Sequence, residues 1–254
     1  MLFRRFITDK IPGYIALLLF ATILSGALMF YSRADLTESA SMPTGLLFSV
    51  LSFSAGNPGF LVTVALLCLT PIVLKLPRQQ IIKLGVQFAI LLVLSFVAKT
   101  AMKHITEVPR PYTYQLQALD IVKSPEAFYQ LNSAQKDVAV SQAQQFVSPW
   151  RISHWQGETN YSLPSGHTIF AAICVTFWGG FFIRRRQLIP AGMILLWATG
   201  VGISRIWLGM HWPTDLIASL CSAAVLYLFV PEWSSIKREH TNSQQTETSF
   251  VETE

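Results

Sequence analysis

Charge is scarce in this sequence. Of its 254 residues only 13% are Asp, Glu, Lys or Arg, while 52% are hydrophobic. A soluble domain carries roughly a quarter charged residues, so water is excluded as the solvent for most of this chain and a bilayer is expected. Cysteine is scarce too. The three present, Cys68, Cys174 and Cys221, each lie inside an apolar run without CxxC spacing, which excludes a disulfide framework and a cysteine zinc site. A carboxylate cluster of the kind that holds magnesium is missing. The central thirds of the apolar runs carry no charge, whereas a transporter of phosphorylated solutes keeps ionisable residues there. The formal net charge is +5, but the basic residues form no patch interleaved with aromatics, so nucleic acid is not expected as a partner.

What the chain has is apolar runs of spanning length, near Ile11–Tyr31, Pro58–Leu76, Ile82–Met102, Ser165–Ile183, Leu188–Trp207 and Pro213–Val230. A spanning helix needs about 17–25 such residues. The expected fold is therefore all-α: an integral membrane six-helix bundle over residues 1–236, with a helical extracytoplasmic insertion at 103–164. Arg4 and Arg5 precede the first run as they do in a signal peptide, but the run is longer than a signal core and no small-x-small site follows. An uncleaved span is expected.

Basic residues fall on alternate connections: Arg4, Arg5 and Lys10; Lys75, Arg78 and Lys83; Arg184, Arg185 and Arg186; Lys237 and Arg238. By the positive-inside rule this face, with both termini, is cytoplasmic. The other face then carries loops 32–57, 103–164 and 208–212. Within the long loop, Glu126–Val147 mixes apolar and polar residues at helical spacing and is expected to form one or two surface helices. These either lie on the membrane as a lid or pack on the bundle. Residues 237–254 read as a polar cytoplasmic tail.

Three polar clusters interrupt the apolar pattern, all at outer span ends. They are Lys103 with Arg110–Pro111; Pro164–Ser165–Gly166–His167; and Ser204–Arg205 with His211 and Asp215. Lys103, Arg110 and Arg205 supply cations, two of them guanidiniums suited to bidentate phosphate contact. Ser165 and Gly166 open a helix, whose free N–H groups and positive dipole end attract an anion. Asp215, four residues past His211 and behind a Pro at the first helical turn, is placed to accept from Nδ1 and leave Nε2 as a nucleophile. His167 remains as a general acid. Singly, each has a plainer role: Ser165 and Asp215 as helix caps, Lys103 and Arg110 at the interface, His211 in an aromatic belt. Those roles do not explain three clusters at one membrane face. His154–Trp155 reads as interfacial, and Gly200 and Gly202 as close-packing positions.

In these residues the chain resembles the type-2 phosphatidic acid phosphatase superfamily, whose signatures KxxxxxxRP, PSGH and SRxxxxxHxxxD are all present in order. SHWQGET before YSLPSGHT, and WATGVGISRIWLGMHWPTDL, resemble the bacterial phosphatidylglycerophosphatases within it. The resemblance implies a phosphohistidine enzyme of the bacterial inner membrane that works without metal or other cofactor. Its catalytic residues would be His211, His167 and Asp215, with Lys103, Arg110, Ser165, Gly166 and Arg205 holding the phosphate. It implies lipid phosphate substrates drawn from the bilayer and no obligate protein partner. The substrates would be phosphatidylglycerophosphate, phosphatidic acid, lysophosphatidic acid, diacylglycerol pyrophosphate and undecaprenyl pyrophosphate. A dedicated undecaprenyl-pyrophosphate phosphatase is the alternative.

Overall fold

The computed structural model describes residues 2–31 and 35–232, and among them every regular element is helical. In chain order these are α1 (Leu2–Tyr31), α2 (Met42–Ala55), α3 (Phe60–Val73), α4 (Arg78–Thr106), α5 (Pro111–Ala118), α6 (Pro125–Gln130), α7 (Ser133–Gln142), α8 (Pro149–Trp155), α9 (Gly166–Arg184), α10 (Leu188–Trp207) and α11 (Pro213–Phe229). The predicted tail 237–254, with Lys237 and Arg238, lies outside the described residues.

Helix α9 is the axis. Of its most apolar window 83% is buried, against 28–39% for α1, α4 and α10, which surround it with α11. It is apolar all round, as a helix enclosed by others should be. Its contact with α1 is backbone on backbone: a Cβ at Gly180 would meet the Cα of Gly13 at 2.6 Å, a small-residue crossing typical of membrane bundles. The expectation for Gly200 and Gly202 holds in the same way, since side chains there would strike Leu51 and Leu24. The outer helices turn large apolar residues outward, among them Leu18, Met29, Phe30, Val73 and Leu196. In water so much exposed apolar surface would drive association. Lipid is its solvent.

Four of the helices, α1, α4, α9 and α10, are long and apolar enough to cross a bilayer. The other two predicted spans are less regular. Helix α11 is apolar but runs only from Pro213 to Phe229. The run predicted as one span at 58–76 contains the 14-residue α3, which pairs with α2 across a 66° bend at residues 56–59. Loop 32–57 therefore holds a helix that the sequence reading left out. At 14 residues α2 falls below spanning length, and Gly56, Pro58 and Gly59 break the apolar run that would have joined it to α3.

Segment 103–164 forms a cap with its own core. Helices α6 and α7 occupy the predicted 126–147 stretch, α7 opening on a capping box in which Asn132 and Gln135 exchange bonds of 3.0 Å each way. Their apolar residues Phe128, Ala139 and Val140 are buried with Tyr112, Trp155, Trp207 and Met210. These residues pack on the bundle, while Val138 and Phe146 of the same stretch stay exposed. Arg151 fastens the cap, donating to the carbonyls of Trp207 (3.1 Å), Leu36 (3.0 Å) and Glu38 (2.7 Å).

At the opposite end, Lys10 covers carbonyls at the close of α11 and Arg184 stands with it. Lys10 Nζ donates to Tyr227 and Val230, and Arg184 bonds the carbonyl of Asp9 (2.7 Å) and the carboxylate of Glu232 (3.1 Å). Helix C-termini leave such carbonyls unpaired.

Candidate active site

A tight turn after α10 decides where His211 points. Gly209 takes the left-handed conformation, φ +70°, which glycine adopts without steric cost. The chain then folds back, and the amides of Met210 and His211 donate to Arg205 O at 3.0 and 3.3 Å. Pro213 begins α11 two residues on, and its fixed φ suits a first helical turn. These two constraints bring the ring of His211 over Asp215, with Nδ1 3.2 Å from Oδ2. The same oxygen accepts the amide of Trp212 at 2.8 Å and the hydroxyl of Ser162. Asp215 thus does both things considered for it: it caps α11 and orients the histidine. With its Nδ1–H so held, the ring directs the Nε2 lone pair away from Asp215.

On that side stands Arg110, fully buried, with Nη1 3.5 Å from Nε2 of His211. Its other contacts fix the plane of the guanidinium. Nε donates to Asn160 O (2.7 Å), Nη1 to Met210 O (3.2 Å), and Nη2 to Asn160 Oδ1 (2.5 Å) and Glu158 Oε2 (2.9 Å). Lys103 donates to Asn160 Oδ1 (3.1 Å) and to Tyr161 O. Arg205 donates to Ser52 Oγ (2.5 Å) and approaches Glu158 Oε2 with Nη2 at 3.8 Å. Its Nε and Nη2 are buried and lack a hydrogen-bond partner. Unsatisfied buried donors are rare and call for an acceptor. Between the two guanidiniums a carboxylate is already held, so the arrangement is an anion site.

These residues face a cavity of about 810 Å³ whose lining combines Lys99, Lys103, Arg110, His167 and His211 with the apolar Phe60, Leu92, Phe96 and Phe170, Lys99 Nζ lying 4.7 Å from the centre of the Phe96 ring. His167 reaches it over Gly56, where any Cβ would collide with the imidazole.

The PAP2 superfamily model matches residues 84–239, which takes in all three polar clusters. The chain belongs to the PAP2 superfamily. Similar proteins include the phosphatidylglycerophosphatase B of Escherichia coli K12, 37% identical over 132 residues, 50% of this chain and 52% of that protein. The phosphatidylglycerophosphatase B of Haemophilus influenzae is 34% identical over 193 residues, 72% of this chain and 73% of that protein. Against the first, the chain spans about half the relative's length.

In this PAP2 chain the structure gathers Lys103, Arg110, Gly166, His167 and His211 in the lining of one cavity, with the buried Arg205 beside Glu158 and the buried Asp215 on His211. Ser165 does not line the cavity. Its hydroxyl caps α9, accepting from Thr168 N at 3.3 Å and Thr168 Oγ1 at 2.9 Å, the plainer of its two readings. Gly166 has a reason for being glycine besides anion approach: a Cβ there would meet Lys99 Cδ at 2.7 Å. Lys99 was overlooked in sequence although it stands one turn before Lys103 on α4, a spacing that puts both on one face. Glu158, Asn160, Ser162 and Ser52 were missed as well.

Two charge states follow from the surroundings. Burial alone would raise the carboxyl of Glu158, but Arg110, Arg205, His167 and Lys103 outweigh it and hold it well below the usual carboxylate range. Burial holds His211 well below the ordinary histidine value, and Arg110, Arg205 and Lys103 push the same way. A histidine with a lowered pKa is neutral, and its ring nitrogen nucleophilic, at all pH values above that lowered value. We therefore expect the His211 ring in detergent-purified protein to titrate below the ordinary histidine range in a carbon-13 NMR titration. A midpoint at or above the ordinary value would contradict the geometry described here.

Proposed function

We propose that this protein is a membrane lipid phosphatase that transfers the phosphate of phosphatidylglycerophosphate and related lipid phosphates to His211 and then to water. One observation carries the reading. The cavity is lined both by cationic and imidazole groups, Arg110, Lys103 and His211 among them, and by the apolar Phe60, Phe96 and Phe170, and a phospholipid offers the same two chemistries. Phe96 and Leu61, both in that lining, are also exposed on the bundle surface, which gives acyl chains a way in from the bilayer. The names of the relatives favour phosphatidylglycerophosphate among these lipids.

In this mechanism Nε2 of His211 attacks phosphorus in line with the departing alkoxide. The P–O bond breaks as P–N forms, and His167 gives its proton to the leaving oxygen. Arg110 and Arg205 stabilise the charge on the equatorial oxygens, work that a metal does elsewhere. Water, deprotonated by His167, then attacks the phosphohistidine and releases phosphate and free His211. Asp215 keeps the ring in its working tautomer throughout.

The test is phosphate release from a panel of phosphatidylglycerophosphate, phosphatidic acid, lysophosphatidic acid, diacylglycerol pyrophosphate and undecaprenyl pyrophosphate, with EDTA present. Turnover of phosphatidylglycerophosphate in EDTA, inhibited by vanadate, is expected. Activity that EDTA abolishes and magnesium restores would refute the mechanism. Turnover of undecaprenyl pyrophosphate alone would replace the reading with a dedicated carrier-lipid phosphatase.

We also propose that the site faces the periplasm of a bacterial inner membrane. Lys10 and Arg184 gather at the end of the bundle remote from His211, which supports a cytoplasmic placement of that end. Single cysteines at Ser133, Gln187 and Ser243 are expected to react with an impermeant thiol reagent on spheroplasts at Ser133 alone. Labelling of the other two instead would put the site in the cytoplasm.

A further inference from the structure

One more histidine faces the cavity, outside every signature. His154, on α8, is 6% exposed. Its ring stacks on Phe53, with centroids 4.4 Å apart and planes 27° apart. Its Nε2 is buried and has no hydrogen-bond partner, and the residue lines the cavity with Phe53, Ser153 and Gln156. A buried ring nitrogen left without a partner costs stability unless some group arrives to satisfy it. The stacking leaves the ring little freedom to turn elsewhere. The cavity borders this residue, and an arriving group can approach it from there.

The chemistry of that group follows from its neighbours. His154 shares the cavity lining with Glu158, His167 and His211, and the charges of Arg205 and Glu158 act on it. On its own segment the neighbouring cavity-lining side chains are the uncharged Ser153 and Gln156 and the anionic Glu158, and none is a cation. A second phosphate would call for cations there. A hydroxyl, which both donates and accepts, is satisfied by a neutral imidazole whichever ring nitrogen holds the proton. His154 is indeed neutral near pH 7: burial and Arg205 lower it to about 4 against the opposing pull of Glu158.

We propose that His154 is a specificity-determining residue whose Nε2 hydrogen-bonds a hydroxyl on the headgroup carbon chain next to the transferred phosphate. It favours lipids with a hydroxylated linker between phosphate and diacylglycerol over those with phosphate directly on the diacylglycerol. This rests on the lipid-phosphatase reading above and adds a reader for the leaving group. Sites that hydrogen-bond a substrate hydroxyl discriminate against analogues lacking it, because the site's own polar atom is then left unpaired.

The experiment compares kcat/KM for phosphatidylglycerophosphate and for phosphatidic acid in wild type, His154→Phe and His154→Gln. Phe keeps the stack on Phe53 and loses the nitrogen; Gln brings an amide nitrogen near the place of Nε2. The ratio of the two kcat/KM values is expected to fall about tenfold in the Phe variant, the worth of one hydrogen bond, and to hold within about threefold in the Gln variant. An unchanged ratio in the Phe variant overturns the proposal. If that variant loses both activities, His154→Asn replaces it: its amide reaches only the Nδ1 position, so it must lose the preference that Gln keeps, and equal ratios overturn the proposal. A wild type that turns over neither lipid sinks the lipid-phosphatase reading itself, an outcome distinct from an unchanged ratio.

Discussion

Replacing His211 with Gln is expected to lower turnover of every lipid phosphate by at least about 10⁴-fold, the scale on which removing a triad member acts. The imidazole is the one group in the site with an ionisable partner on one nitrogen (Asp215 Oδ2 at 3.2 Å) and a guanidinium facing the other (Arg110 at 3.5 Å). Gln keeps a polar side chain of similar size in the site, so the protein should stay folded, and its melting temperature is the control. Asp215→Asn should lose less than His211→Gln, because the nucleophile remains and only its tautomer is disturbed. The two effects should not add in the double variant, since both residues serve one nitrogen. Phosphohistidine trapped by acid quench in wild type and missing in His211→Gln is the direct observation. Near-wild-type turnover by His211→Gln would end the mechanism.

Arg205→Ala is expected to cost about 10³-fold in kcat/KM, the upper range for loss of one preorganised donor at a charge-developing oxygen. Arg205 is almost wholly buried, its one side-chain hydrogen bond goes to Ser52 Oγ, and Nε and Nη2 are unspent. A phosphate that displaces Glu158 from between Arg110 and Arg205 would take up those donors. Arg205→Lys keeps a charge but loses the planar fork and should recover no more than about tenfold of the loss. The loss should appear equally for monophosphate and pyrophosphate lipids, because the arginine reads the transferred group and not what it leaves behind. A variant that loses only one lipid class would move Arg205 from the phosphate to the headgroup.

The parts of the site that were legible in sequence share one property: their spacing is local. His211 and Asp215 are four residues apart at a helix start, Arg110 precedes a Pro at a first helical turn, and Ser165 precedes a glycine and a histidine. Helical geometry turns such intervals into contacts. Glu158 was not legible, because it meets Arg110 across 48 residues and stands in a stretch with no period to set its direction. Asn160 and Ser162 were hidden for the same reason, as was Ser52, on a helix below spanning length. The membrane helices announced themselves through length and apolarity, while the bend between α2 and α3 turned on a few residues that a hydropathy window averages away. The cap's helices were legible, but their docking surface was not. A buried face and a lipid-facing one are both simply apolar in sequence.

The cap's core includes Trp207, Leu208 and Met210, from the stretch that leads into His211, the proposed nucleophile. Tyr112, one position past the Arg110–Pro111 pair, donates its amide to Gly209 O at 3.0 Å. Insertion and catalyst are therefore not separable modules. A chimera that exchanged residues 111–157 for a relative's segment would import a foreign packing surface against the turn that aims His211. It should lose activity on all lipids alike unless 207–210 travels with it. For the same reason, substitutions at Trp155, whose indole N–H donates to Leu208 O at 2.7 Å, should surface in any genetic screen as loss of catalysis, though that side chain is packed inside the cap. Substitutions on the outer face of this insertion should therefore be tolerated, whereas those on its inner face should act on the turn that holds His211.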